Sequence, residues 1–237
     1  MNTHKSLSLN KFDSGCQQFI AFIDILGFRN LVLRSPDLDE FVEKYSNVFK
    51  PLQQEINTFG IKHILFSDSL FLVVQNRPLE EQLKSLVAFS KKLLQRSILA
   101  KLPIRGSISF GQILWDGEIV VGVPIIEAVE NESMQDWLGI NLAPSTINYC
   151  LNSSNLLEQL EHEGLIIRYQ NIPVKEGLST ITGYVINFLD KEENYDEIVK
   201  SIELMKILSG SAIAEKKYRE TEKFIDFIHK SKLDNRK

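Results

Sequence analysis

Two aspartates stand where aspartate is costly. Asp24 interrupts the apolar run Phe19-Ile20-Ala21-Phe22-Ile23-Asp24-Ile25-Leu26-Gly27-Phe28. Asp68 interrupts a second, Ile64-Leu65-Phe66-Ser67-Asp68-Ser69-Leu70-Phe71-Leu72-Val73-Val74. Runs this rich in Ile and Phe predict buried strands, and a buried carboxylate without a partner is unfavourable. Two carboxylates on adjacent strand ends can hold hard, oxygen-preferring cations such as Mg²⁺ or Mn²⁺. A pair of such ions supports phosphoryl transfer, so Asp24 and Asp68 are the candidate centre of a two-metal site. Each also has a plainer role open to it. Asp24 could cap a helix or pair with Arg29, and Asp68 could be an ordinary turn residue.

The elements around them must bring the two carboxylates together. Residues 17–25 predict the first strand, and Leu26-Gly27-Phe28 turns off it. Ser35-Pro36 predicts a helix start. Leu38, Phe41, Val42, Tyr45, Val48, Phe49, Leu52 and Ile56 follow at helical spacing, with Pro51 as a kink or an end. Residues 61–66 and 70–75 form a hairpin with Asp68 at its turn. Pro78 opens a helix carrying Leu79, Leu83, Leu86, Val87, Leu93, Leu94 and Ile98 on one face. Residues 103–114 form an arginine-bearing strand, and Asp116-Gly117 turns it back into residues 118–121. The order strand, helix, strand, strand, helix, strand is the split βαβ, ferredoxin-like arrangement of an α+β fold. Beyond it the pattern predicts a helix at 124–133, a strand at 137–142, helices at 144–151 and 156–161, and strands at 165–169 and 183–188. From 194 to about 230 the chain reads as an amphipathic, highly charged helical pair, with Met205, Ile207, Leu208, Ile213, Phe224, Ile225 and Ile228 on its apolar face. It is expected to pack on the core or on a second subunit.

Composition narrows the function classes. With 237 residues and 43% hydrophobic content, the chain suits one decorated domain. A net charge of −4 without a basic cluster argues against nucleic acid as partner. Two cysteines without a CxxC or Cys/His spacing argue against a disulfide framework or zinc. The stretch 1–14 is polar, and no apolar run reaches the ~18 residues a bilayer span needs. A cytoplasmic protein with no membrane partner is the expectation. The boundaries follow as a tail at 1–16, a main domain at 17–188 and a helical extension at 189–237.

Several segments then align, in order, with one known family. Phe22-Ile23-Asp24-Ile25-Leu26-Gly27-Phe28 is followed by Asp68 at its hairpin turn and by Pro103-Ile104-Arg105-Gly106-Ser107-Ile108-Ser109-Phe110-Gly111. Gly122 and Ala128-Val129-Glu130-Asn131-Glu132-Ser133 come next, then Leu138-Gly139-Ile140-Asn141-Leu142-Ala143-Pro144-Ser145-Thr146 and Val174-Lys175. This set resembles the class III nucleotidyl cyclase catalytic domain. The resemblance implies the ferredoxin-like cyclase core, two Mg²⁺ or Mn²⁺ ions per site held by Asp24, Asp68 and the Ile25 carbonyl, and a nucleoside triphosphate substrate. Leu26, Gly27 and Phe28 would offer backbone N–H groups to its phosphates, and Lys175 would neutralise them. Arg105 would either replace a missing transition-state arginine or serve as a structural ion-pair partner. Each site would form between two chains, so a homodimer is implied.

The departures are equally specific. The positions that read the purine base in this family hold Ile64 and Ile119, and the transition-state asparagine and arginine fall on Ile126 and Glu130. Isoleucines supply none of the hydrogen bonds that tell adenine from guanine. In this the sequence resembles the bacterial pyrimidine cyclases of the Pycsar anti-phage systems, which make cyclic UMP or cyclic CMP. UTP or CTP is the implied substrate, with Ile64 and Ile119 in the base pocket. A non-catalytic nucleotide- or partner-binding module and a purine cyclase are the alternatives. A diguanylate cyclase is disfavoured, since Phe66-Ser67-Asp68-Ser69-Leu70 lacks that family's turn.

Overall fold

The computed structural model describes residues 16–34, 38–116, 119–153, 155–175, 180–189 and 195–234. The elements in chain order are β1 (Cys16–Ile25), α1 (Phe28–Arg34), α2 (Leu38–Phe49), α3 (Leu52–Phe59), β2 (Ile61–Phe66), β3 (Ser69–Val74), α4 (Leu79–Leu99), β4 (Ile104–Asp116) and β5 (Ile119–Gly122). Then follow α5 (Val123–Met134), β6 (Ile140–Leu142), α6 (Pro144–Ser153), α7 (Leu156–His162), β7 (Ile166–Pro173), β8 (Thr180–Ile186), α8 (Tyr195–Leu208) and α9 (Ala212–Asp234). The sheet runs β2-β3-β1-β4-β6-β8-β7, with β5 paired to the far end of β4. Its first half, β2-β3-β1-β4, is antiparallel throughout and is the split βαβ arrangement that the pattern predicts.

Strand alternation sorts the residues of β1 onto two faces. Phe19, Ala21, Ile23 and Ile25 enter the main core, with Leu70, Leu72 and Val74 of β3 and Ile104 and Ile108 of β4 beside them. Helix α4 seals that face. Leu83, Leu86, Val87, Leu93, Leu94 and Ile98 are all fully buried, each such side chain contributing about 1.5–3 kcal/mol. The other face carries Ile20, Phe22 and Asp24, and α5 covers only part of it. Gly106 sits where strands crowd: a Cβ there would stand 2.6 Å from the Phe22 carbonyl oxygen.

Three readings need correction. A short helix, α1, starts directly off the Leu26-Gly27 turn, where only a turn is expected. Its first turn is fixed by Asn30 and Leu31, whose N–H groups donate to the Gly27 carbonyl at 2.8 and 3.0 Å. The expected strand at 137–142 is paired only over Ile140–Leu142. In the C-terminal segment Gly210 takes φ +62°, which ends α8 and resets the helical period. Ile207, Leu208 and Ile213 flank that corner and are exposed, not buried as the apolar stripe predicts. The rest of the extension joins the main core, where Phe224 packs edge-on against Trp137 with ring centroids 4.9 Å apart. Pro51 ends a helix and does not merely kink it, since α2 stops at Phe49 and α3 begins at Leu52. The Ser35-Pro36 helix start and the Asp116-Gly117 turn involve positions outside the described residues. Among the described residues, no helix is long and apolar enough to cross a membrane.

Candidate active site

The open face of the sheet is organised in cross-strand rows. The last row reads Phe66, Ser69, Asp24, Arg105, from β2 through β3 and β1 to β4. The next reads Ile64, Phe71, Phe22, Ser107. Directly opposed residues point to the same face, so Asp24 lies between Ser69 and Arg105 by register alone. The Ser69 hydroxyl donates to the Asp24 Oδ1 at 3.1 Å.

Asp68 arrives beside this row through the β2–β3 turn. Its carbonyl accepts the Ile25 N–H at 3.1 Å, tying the hairpin to the end of β1. Ser67 takes φ +58° in that two-residue turn, a position where glycine is the usual occupant. The Tyr45 hydroxyl holds it from α2, donating to the Ser67 carbonyl at 2.9 Å.

Burial and neighbouring carboxylates set the electrostatics of the row. The Asp24 carboxyl is pushed up from 3.8 to about 6, first by burial and then by the carboxylates of Glu132 and Asp68, against smaller opposing effects from Ser69 and Arg105. Arg105 and Glu132 are each only 4% exposed, and the guanidinium meets the Glu132 Oε1 at 2.5 Å. The third guanidinium nitrogen donates to the Gln135 carbonyl. A carboxylate held near 6 by burial and like charge is a place where a cation is favourable. The donors are hard oxygens, as Mg²⁺ and Mn²⁺ require. No group of three or more His, Cys, Asp or Glu suited to a metal exists among the described residues. Carboxylate pairs of this kind complete an ion's shell with substrate phosphate and water.

The Leu26-Gly27-Phe28 turn divides in its capacity to bind anions. Leu26 donates its N–H to the Pro103 carbonyl at 2.8 Å, so that donor is already used. The N–H groups of Gly27 and Phe28 lie at the start of α1, where backbone donors have no intrahelical acceptor. Gly27 has φ +68° and nothing within 4 Å of a built Cβ. Glycine is needed there for its backbone and not to make room.

Lys175 follows Val174, which is bridged to Gln135, and its own N–H donates to the Met134 carbonyl at 2.7 Å. Its ammonium pKa is lowered by burial and by the positive charges of Arg105 and Lys217. Lys175 therefore stands in the electrostatic neighbourhood of the Arg105–Glu132 pair in its own chain. The two isoleucines expected in a base pocket part company. Ile64 faces Phe71 on the open side of the sheet, next to the aspartate row. On β5 it is Val120 that turns into the small apolar cluster with Ile20, Val73 and Trp115, while Ile119 points the other way and is 57% exposed. Within one chain Ile64 and Ile119 therefore turn to different faces. Ile126 and Glu130 are also exposed.

Glu132 is the site residue that reading the sequence for catalytic groups missed. It shares α5 with Glu127 and Glu130, and nothing local distinguishes it. Only the packing does: Glu127 accepts from the Ser145 N–H at 3.0 Å, Glu130 is exposed, and Glu132 alone is buried against an arginine.

Compared by sequence, the chain matches no family model and no curated protein. Compared by structure, it resembles the catalytic core of a rhodopsin-guanylyl cyclase with converted specificity in complex with ATPαS, at TM-score 0.53 and 14% identity over 73% of this chain and 96% of that one. It resembles equally the adenylyl cyclase CyaB from P. aeruginosa, at TM-score 0.53 and 12% identity over 75% and 95%. A third is the non-canonical dimeric guanylyl cyclase domain of a fusion protein from the aquatic fungus Blastocladiella emersonii, at TM-score 0.51 and 12% identity over 72% and 95%. The fold is that of the class III nucleotide cyclase catalytic core.

Proposed function

We propose that the chain is a nucleotide cyclase that converts UTP or CTP to the 3′,5′-cyclic nucleotide and pyrophosphate. The observation that carries the reading is the row Ser69–Asp24–Arg105 with Asp68 tied beside it, on a cyclase core. In this reading Asp24, Asp68 and the Ile25 carbonyl hold two Mg²⁺ or Mn²⁺ ions. Bound there, such ions lower the pKa of the attacking 3′-hydroxyl and neutralise charge on the phosphate oxygens. Ser69 orients the Asp24 carboxylate by its hydrogen bond. Gly27 and Phe28 offer N–H groups to the triphosphate, and Lys175 offsets its charge. Arg105, held by Glu132 and Gln135, acts as a positioning residue that keeps positive charge beside Asp24.

The preference for a pyrimidine rests on Ile64 and Ile119, whose side chains neither donate nor accept hydrogen bonds. A purine edge facing them would forgo about 1–3 kcal/mol per unmet group. The assembly is a homodimer. Its support is the apolar surface continuous over β5 and the start of α5, where Ile119, Val121, Val123 and Ile126 are exposed. The Pycsar resemblance extends the reading to a messenger synthase in anti-phage defence. A purine cyclase has one point in its favour, that the solved cores above are named for adenylyl and guanylyl chemistry.

Incubation with ATP, GTP, CTP and UTP and Mn²⁺ decides among these. A cyclic pyrimidine nucleotide formed fastest, and lost in Asp24→Ala and Asp68→Ala chains that still fold, is the expected result. A cyclic purine formed fastest overturns the base argument but keeps the metal site. Binding without turnover of any nucleotide overturns the cyclase reading in favour of a binding module.

A further inference from the structure

The two carboxylates of the aspartate row are held by unequal means. Asp24 lies within β1, in register with β3 on one side and β4 on the other. Asp68 lies outside the ladder, in the two-residue turn that joins Phe66 to Ser69. Turns of this length favour glycine, asparagine or aspartate where φ is positive, yet Ser67 stands at φ +58°. A residue with a Cβ is disfavoured in that region. Such a conformation persists beside a functional group only where the surrounding structure over-determines it.

Here the surroundings act on the two carbonyls of the turn, each from outside the hairpin. β1 takes the Asp68 carbonyl through the Ile25 N–H, at 3.1 Å. α2 takes the Ser67 carbonyl through the Tyr45 hydroxyl, at 2.9 Å. The Tyr45 ring is itself fixed. Residues four apart on a helix share a face, so Phe41, Tyr45 and Phe49 make one aromatic row along α2. Their centroids are 6.1 and 4.6 Å apart in that order. Phe28, the first residue of α1, packs edge-on against Phe41 at 5.5 Å. The row therefore anchors α2 beside the end of β1 that carries Asp24. From that anchor Tyr45 reaches the turn that carries Asp68.

We propose that Tyr45 is a positioning residue for a divalent-cation site: its hydroxyl holds the Ser67-Asp68 turn at positive φ, which keeps the Asp68 carboxylate beside Asp24. Tyr45 acts through the backbone of the turn and not as a ligand. Without the hydroxyl, Ser67 is free to relax to negative φ, and the Asp68 carboxylate swings with it. The two carboxylates then no longer converge on one ion. The role presupposes that Asp24 and Asp68 hold a divalent cation, as in the function proposed above.

The test compares wild type with Tyr45→Phe, Ser67→Gly and the double variant, with melting curves as the folding check. Phenylalanine keeps the aromatic row and removes only the hydroxyl. Mn²⁺ alone is titrated into each full chain and followed by electron paramagnetic resonance, with Asp68→Ala as the chain lacking the site. Tyr45→Phe should weaken Mn²⁺ about fivefold, as the loss of one hydrogen bond implies. In chelator, hydrogen exchange at the Ile25 amide, which donates to the turn, should quicken by a similar factor, about fivefold. Glycine adopts positive φ without help, so adding Ser67→Gly to Tyr45→Phe should bring both readouts back to within about twofold of wild type. A tyrosine that merely packs leaves both readouts unmoved in Tyr45→Phe, and that result overturns the proposal. A double variant as weak as Tyr45→Phe also overturns it, since the conformation of Ser67 is then not what the hydroxyl holds. Wild type that binds Mn²⁺ no better than Asp68→Ala overturns the metal reading and the proposal together. Wild-type binding that Tyr45→Phe leaves intact overturns the proposal alone.

Discussion

The Asp24 carboxylate should destabilise the metal-free fold at neutral pH, and Asp24→Asn should relieve it. A carboxyl that ionises at about 6 in the folded chain and at its ordinary 3.8 when unfolded costs the fold about 3 kcal/mol once both states are charged. Asp24 is only partly buried, so solvent screening reduces the figure to about 1–2 kcal/mol. The direction follows from proton binding. The folded state holds the proton more tightly, so the penalty is complete above about pH 6, shrinks as pH falls, and is gone below about 3.8. Asparagine keeps an oxygen to accept from Ser69 and carries no charge. In a chain of this size, about 1–2 kcal/mol corresponds to roughly 2–8 °C in melting temperature.

The assay is thermal melting of wild type and Asp24→Asn in chelator, from pH 8 down to pH 5. The variant should melt higher at pH 8, and the gap should close to about half by pH 5. Millimolar Mn²⁺ should then raise the wild type and leave the variant unmoved, since a ligand stabilises only the state that binds it. A variant that melts below wild type at pH 8, or a gap that ignores pH, refutes the electrostatic account of the aspartate row.

Three further outcomes are expected. Glu132→Ala strands the buried Arg105 guanidinium and should cost about 3–5 kcal/mol in chemical denaturation; a loss under 1 kcal/mol would show that the pair is not closed off from water. Gly27→Ala meets no steric obstacle, so its cost should be the backbone penalty of about 1–2 kcal/mol, read as a lower denaturation midpoint with an unchanged slope. Mixed Asp68→Ala and Lys175→Ala chains, each inactive alone, should recover part of the cyclase activity if the lysine acts across a dimer; no recovery despite proven subunit exchange places Lys175 in the site of its own chain, beside Arg105.

What was legible in the sequence follows from how local each cause is. Asp24 announced itself because one carboxylate in an Ile/Phe strand has few affordable explanations, and strand alternation then put it on the face opposite Ile23 and Ile25. Asp68 was legible through its two-residue turn between apolar strands. Helix α1 was not, because seven residues after a glycine turn carry too little periodicity to outweigh the turn itself. The corner at Ser209-Gly210-Ser211 carried a readable stop and restart, a glycine able to go left-handed and a serine able to cap. Ser211 does cap, accepting the Ala214 N–H on its hydroxyl at 3.2 Å. The long amphipathic pattern on either side outweighed that signal. Glu132 was beyond reach for another reason. Its role depends on an arginine 27 positions away that reaches it only after β4 and α5 have packed.

Under the proposed cyclase reading, one chain holds half of the chemistry. The aspartate row is built entirely within the chain, down to the serine that orients Asp24 and the ion pair that closes the row. The residues that the cyclase resemblance sets at base reading and transition-state contacts, Ile119, Ile126 and Glu130, instead face water on β5 and α5. They adjoin Val121 and Val123, the latter 77% exposed. Full burial of such side chains is worth about 1.5–3 kcal/mol each, against about 4–15 kcal/mol for the freedom lost on association. Apolar contact alone therefore leaves pairing dependent on concentration. A nucleotide held by the aspartates of one copy and the β5–α5 surface of another would add the missing free energy. In this reading, substrate binding and assembly are one linked equilibrium, and dilution should lower activity less at saturating nucleotide than at low nucleotide.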